Sequence, residues 1–263
     1  MSKTRKVLLT LLALAVLTGP LKLLLAAMLP DSTVDPVPGC IAGMALSLLT
    51  MGLPAWLLRP WTSPRLRQPK SLLPGLAMAA ATALLIRAAM TPVDAAWQRT
   101  LGLAPETMPV PESITLAMLY VAALVIVPAL AEEAFFRGTL LASLLDGSRR
   151  ITAGLLTTLA FALLHGTLAN LPSLLALSAL LTLLMLHTGH NAVPMTAHLI
   201  YNLTALGGVA VPEWVGWMCL GASVVLCGYL LSEQPRVDHP PMKMTDGLIA
   251  LAAVAVMILS YMY

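Results

Sequence analysis

Long apolar runs recur along the chain at 7–29, 39–58, 71–90, 113–131, 151–169, 172–188, 191–207, 214–231 and 247–262. Each is close to the ~20 residues that cross a ~30 Å hydrocarbon core as a helix. Polar and turn-forming residues punctuate them at Pro30-Asp31, Pro60 to Lys70, Asp146 to Arg150, Pro212-Glu213 and Pro235 to Asp246. No linker, low-complexity stretch or internal repeat interrupts the series. In lipid the backbone must satisfy its own hydrogen bonds, so runs of this length predict helices. The expected fold is all-α: a polytopic transmembrane helical bundle of eight or nine spans, with residues 1–263 forming a single membrane domain.

Composition supports that reading. The 263 residues are 59% hydrophobic and 10% charged, against about 25% charged in soluble domains. Leu, Ala and Met dominate and aromatics are 5%, which suits helices packed through small residues better than alternating barrel strands. No basic stripe is interleaved with aromatics, so nucleic acid is not an expected partner; membrane lipid is. Cys40, Cys219 and Cys227 lack C-x-x-C spacing and lie in apolar runs, where a thiol packs as a small hydrophobe. The basic start at Met1 to Lys6 resembles a signal peptide, but the apolar run continues past Pro20 and Lys22 without an A-x-A site, so a retained first span is expected.

Charge placement sets the expected orientation. Lys3, Arg5 and Lys6 precede the first span, Arg59, Arg65, Arg67 and Lys70 follow the second, and Arg149 and Arg150 follow the fourth. Asp31, Asp35, Asp94, Glu106 and Glu112 occupy the alternate loops. The N-terminus is therefore expected on the cytoplasmic side of a bacterial inner (cytoplasmic) membrane. The last loop, with Glu233, Arg236, Asp238, Lys243 and Asp246, has no positive bias and leaves eight against nine spans open. Loop 91–112, with Trp97, Pro105 and Pro111, reads either as an interfacial cover or as a plain connector.

Ionisable groups at membrane depth are costly and mark sites or pathways. Lys22 and Arg87 lie toward span ends, where snorkelling suffices. Glu132, Glu133 and Arg137 are more informative. Glu133 and Arg137 are four apart and share a helix face, whereas Glu132 points about 100° away. One carboxylate is thus held by arginine while the other is available as a general base; solvated charges at a helix end would read the same. His165 stands deep in its span with Phe161 one turn earlier on the same face, and a lone membrane histidine is often a packing residue. His198 and Asn202, also four apart, could polarise a carbonyl and hold an oxyanion, or simply glue spans together. His187, His190 and Asn191 read as interfacial turn residues, and His239 as a loop residue. Each motif alone is ambiguous, but three of them on separate spans make a poor scaffold.

Glu-Glu-x-x-x-Arg, Phe-x-x-x-His and His-x-x-x-Asn, in this order and with apolar spacers, resemble the CPBP family of CAAX-type prenyl endopeptidases and bacteriocin-processing enzymes. Gly138 and Pro194 fit as well. The resemblance covers about residues 113–207, a CPBP-like catalytic core, with residues 1–112 as additional N-terminal spans. It implies that Glu132 and His165 activate water for attack on a peptide carbonyl, that Glu133 and Arg137 order the site, and that His198 and Asn202 hold the oxyanion. It implies a membrane-associated protein or peptide as substrate. No cofactor is expected: His165, His198 and a glutamate could in principle ligate zinc, but there is no His-Glu-x-x-His and the implied roles already use these groups. The alternatives are a non-catalytic membrane protein of the same fold, such as an immunity factor or scaffold, and a carrier, which would need repeats and broken helices that are not seen. For Glu132 to meet His165, the fourth helix must run well past Arg137, which places Glu132 inside the membrane, in its cytoplasmic half.

Overall fold

The computed structural model describes residues 2–29, 35–58, 72–105, 110–208, 211–233 and 242–260. The basic loop of Arg59, Arg65, Arg67 and Lys70 lies outside them, as do Asp31, Glu106, Arg236, Asp238 and His239. Nine helices follow one another among the described residues: α1 (Lys3–Met28), α2 (Pro36–Leu58), α3 (Leu72–Leu101), α4 (Ile114–Gly147), α5 (Arg150–Leu164), α6 (Leu171–Thr188), α7 (Ala192–Leu206), α8 (Glu213–Ser232) and α9 (Met244–Leu259). Six of them, α1 to α4 with α6 and α8, are long and apolar enough to cross a membrane unaided, and α5 and α9 are shorter apolar helices. The protein is an integral, multi-pass helical membrane protein.

Local chemistry sets the helix starts. The side chains of Ser2, Asp35 and Ser113 accept backbone N–H bonds from Arg5, Val37 and Leu116, each taking up a donor that the first turn leaves without an intrahelical partner. Helix α6 receives its cap from another helix, because Asp94 of α3 accepts the Ser173 N–H at 3.2 Å. Gly189 ends α6 at φ 73°, a left-handed conformation that glycine adopts without steric cost.

One boundary differs from the sequence expectation and another follows it. Helix α3 continues through Pro92 to Leu101, so Asp94, Trp97 and Arg99 are helical and the first half of the expected 91–112 loop is helix. Proline inside a buried helix is tolerated where neighbours re-satisfy the backbone, and Pro92 is seated in a close crossing with α8. There, a Cβ on Gly216 would lie 2.6 Å from the proline ring and 3.0 Å from the Ala88 carbonyl. Helix α4 spans 34 residues without a break, about 51 Å at 1.5 Å per residue. It runs well past Arg137, as expected, and Glu132 falls near its middle.

Helix α4 is not uniformly α-helical. It widens to π-helical turns at Val121–Ile126 and Phe136–Leu141, on either side of the two glutamates. Such turns offset the register of a helix and are frequent at functional sites. One core packs Phe135, Phe136, Leu140, Leu144 and Leu145 of α4 against Val7, Leu8 and Leu11 of α1 and Phe161 of α5. A second joins Ala79, Ala83 and Ile86 of α3 to Leu177, Leu181 and Leu184 of α6 and to Ala197 and Tyr201 of α7. Helix α6 is the central element: 67% of its apolar window is buried, against 11% for α2. Helix α9 closes on α1, where Arg5 pairs with Asp246 at 3.0 Å.

Gly216→Ala should destabilise the protein by about 1–3 kcal/mol, as over-packing does, because the atoms its methyl would meet belong to a proline ring and a backbone carbonyl. Thermal unfolding in detergent, compared with Gly221→Ala in open space on the same helix, measures it.

Candidate active site

The site forms where α4, α5, α6 and α7 meet. Arg137 is fully buried, and its Nη1 donates to Glu133 Oε1 at 2.8 Å. Its Nη2 donates to both the carbonyl and the hydroxyl of Ser178 on α6, at 2.9 and 2.7 Å. The guanidinium carbon lies 4.8 Å from the centre of the Phe161 ring, within cation–π range. Glu133 is also fully buried, and its Oε1 meets His198 Nδ1 of α7 at 2.9 Å. One carboxylate thus ties α4 to α7, and its arginine ties α4 to α6.

Glu132 faces elsewhere, as the 100° step predicts. Its Oε2 lies 3.7 Å from His165 Nε2 and 3.9 Å from His198 Nε2. These separations are beyond direct hydrogen bonding. His165 Nδ1 is 2.7 Å from the Phe161 carbonyl. That oxygen can only accept, so Nδ1 is the donor and the ring turns Nε2 toward Glu132. His198 likewise turns its Nδ1 to the Glu133 carboxylate, which pairs with Arg137, and its Nε2 toward Glu132. Glu132 Oε2 and the two Nε2 atoms therefore face one another across a gap, and Glu132 Oε2 is buried without a hydrogen-bond partner. The Phe161 ring is 4.6 Å from the His165 ring and 5.6 Å from that of His198, and it fixes both.

Asn202 stands apart from this cluster. Its amide nitrogen donates to the Leu124 carbonyl at 3.4 Å, in the first π-helical turn of α4. The structure therefore gathers Glu132, Glu133, Arg137, His165 and His198, and holds Asn202 one turn further along α7. No group of three or more His, Cys, Asp or Glu side chains among the described residues is arranged to hold a metal ion.

Some contributors escaped the sequence reading. Ser178, fully buried, is a polar residue within an apolar run, which was its only signal. Asn191, read as an interfacial turn residue, donates to the Glu133 carbonyl at 3.4 Å, next to the second π-helical turn. Lys22, read as a snorkelling residue, donates to the His165 carbonyl at 3.1 Å. A cavity of about 130 Å³ opens beside the acid, with Glu132, Phe136, Leu164 and His165 on one side and Thr18, Lys22, Ser47, Thr50 and Met51 on the other. That volume accommodates several waters.

The fold and site together define a polytopic helical membrane protein with an acid–histidine cluster buried between its spans. Residues 114–204 match the family model described as type II CAAX prenyl endopeptidase Rce1-like. The match runs from the start of α4 into α7, includes every residue of the cluster, and bears out the resemblance read from the three motifs. No curated protein and no solved structure matches the chain.

Removing the arginine should be more damaging than removing its hydroxyl partner. Arg137→Met leaves Glu133 buried without its cation and is expected to cost about 3–5 kcal/mol. Ser178→Ala leaves the Ser178 carbonyl in place and should cost about 1–3 kcal/mol. Unfolding titrations of the two variants in mild detergent give the comparison.

Proposed function

We propose that the protein is an intramembrane endopeptidase that hydrolyses a peptide bond of a membrane-associated protein or peptide with water activated by Glu132 and His165. The observation that carries this reading is the approach of Glu132 Oε2 to two imidazole Nε2 atoms, at 3.7 and 3.9 Å, on the wall of a cavity. With Glu132 Oε2 and His165 Nε2 as acceptors, this gap suits a water molecule, which donates its two protons to them and is left with its lone pairs for attack. Glu132 is the general base, and His165 shares the proton and passes it to the leaving amine. Buried walls of Phe136 and Phe161 limit competing water.

Glu133 and Arg137 serve this chemistry indirectly. Glu133 accepts from His198 Nδ1, so that His198 can carry a second proton on Nε2 and face a developing oxyanion as a cation. Asn202 would join it by exchanging its Leu124 carbonyl for the substrate oxygen. The reaction in this reading uses carboxylate and imidazole alone and assigns no role to a metal. The protein would work in a bacterial cytoplasmic membrane with its N-terminus on the cytoplasmic side, a placement supported by Lys3, Arg5, Lys6, Arg149 and Arg150.

Cleavage of the cognate membrane substrate by purified protein tests the reading. Glu132→Gln and His165→Ala should each lower kcat by about 10²–10⁴-fold, the usual contribution of a positioned acid or base. Wild-type rates in both variants would sink the proposal. Exhaustive chelation should leave the rate unchanged, and activity lost to a chelator and recovered with zinc would overturn the metal-free assignment.

A further inference from the structure

Helix α3 contributes no side chain to the acid–histidine cluster, yet its last two turns reach the segment that carries one of the reacting groups. Asp94, Trp97 and Gln98 are spaced i, i+3 and i+4, so they share one helix face. From that face Trp97 Nε1 donates to the Leu168 carbonyl at 2.9 Å. Gln98 Nε2 donates to the Ala169 carbonyl at 3.1 Å and to Asn170 Oδ1 at 3.3 Å. Asp94 Oδ1 accepts the Ser173 N–H at 3.2 Å. One face of α3 is thus bonded along the whole turn between α5 and α6, and only the continuation of α3 past Pro92 brings it there. His165 opens that turn: α5 ends at Leu164, and Gly166 follows in the left-handed region at φ 70°. The His165 ring is tied to α5 through Nδ1 and the Phe161 carbonyl. Helix ends fray, however, so a side chain at this position stays in place only if the chain beyond it is held. Asp94, Trp97 and Gln98 all lie outside residues 114–204, the segment that matches the family model.

We propose that Trp97 and Gln98 are positioning residues for His165: the end of α3 clamps the α5–α6 turn and so sets the gap between His165 Nε2 and Glu132 Oε2. For its effect on rate this rests on the hydrolase reading above; for its effect on the histidine it rests on the contacts alone. The gap is 3.7 Å, and a displacement of about 1 Å in a reacting group can cost about 10²-fold in rate. Neither Trp97 nor Gln98 is among the residues lining the cavity, so their loss acts on the chemical step and leaves substrate binding alone.

The test uses the full chain in detergent micelles. Trp97→Phe keeps a ring and removes its N–H, and Gln98→Met keeps the length and removes the donors. Together they should lower kcat by about 10- to 100-fold with KM unchanged. In a His165→Ala background the same pair should lower kcat no further, since residues that act through one group are not additive. Gln98→Lys, which keeps a donor, should hold the wild-type rate. A second reading needs no substrate: nitrogen NMR of ring-labelled histidines, with His165 assigned by its loss from His165→Ala. The His165 signals should move in the double variant while those of His198 stay in place. If the double variant does not fold, each single variant gives the same readings at smaller amplitude. Unmoved His165 signals overturn the inference, and so does an equal loss of kcat with and without His165. A lowered unfolding temperature with unchanged rate and histidine signals also overturns it, because the bonds would then serve stability alone. Shifted His165 signals in a protein that cleaves nothing would refute the hydrolase reading and leave the clamp standing.

Discussion

The bundle is organised around a buried ion pair. Arg137 and Glu133 are both fully removed from solvent, where each charge alone would cost several kcal/mol. Further contacts offset part of that cost: Arg137 Nη2 reaches Ser178 on α6 and Glu133 Oε1 also meets His198 on α7, while Arg137 Nε and Glu133 Oε2 are buried without a hydrogen-bond partner. The ion pair thereby acts as a positional constraint: α4, α6 and α7 can dock in one register only, since any slip leaves a charge unmatched. Apolar packing alone would not select that register, because α6 is apolar around most of its circumference and could rotate or slide at little cost.

That constraint explains how two adjacent glutamates come to differ. On one helix, consecutive residues point about 100° apart, so fixing Glu133 against Arg137 and His198 also fixes the direction of Glu132. His165 meets it because the end of α5 is held from both sides. Lys22 of α1 donates to the His165 carbonyl, while Trp97 and Gln98 of α3 donate to the carbonyls of Leu168 and Ala169, at 2.9 and 3.1 Å, just beyond it. The π-helical turn after the glutamates adds a local adjustment, and Asn191 satisfies the Glu133 carbonyl beside it. Glu132 needs no direct partner of its own, because everything around it is fixed by something else.

Most of this fold was legible because membrane insertion writes a strong signal: each helix coincides with an apolar run, and the three motifs fall on three separate helices. The errors came from local rules applied out of context. Pro92 and Asp94 read as loop residues, yet inside a bundle a proline can sit mid-helix against Gly216, and an aspartate can cap a neighbouring helix at Ser173. The contacts of Asn191 and Lys22 went unread for a related reason. Their roles depend on backbone carbonyls of distant residues, and backbone carbonyls leave no mark in a sequence. The pairing of Glu133 with Arg137 was visible because it is local, at one helical turn. Its completion by Ser178 and His198 was not, because it is set by how three helices pack.

The same distinction separates the parts of the molecule. Residues 114–204, which match the family model, contain every side chain of the acid–histidine cluster, and their mutual contacts are internal to α4, α5, α6 and α7. Helices α1 and α2 contribute no side chain to that cluster beyond the Lys22 contact to the His165 carbonyl, yet they supply one wall of the cavity it faces. A chemical core that is complete in itself can be kept while the wall opposite it changes, since the wall affects only what enters.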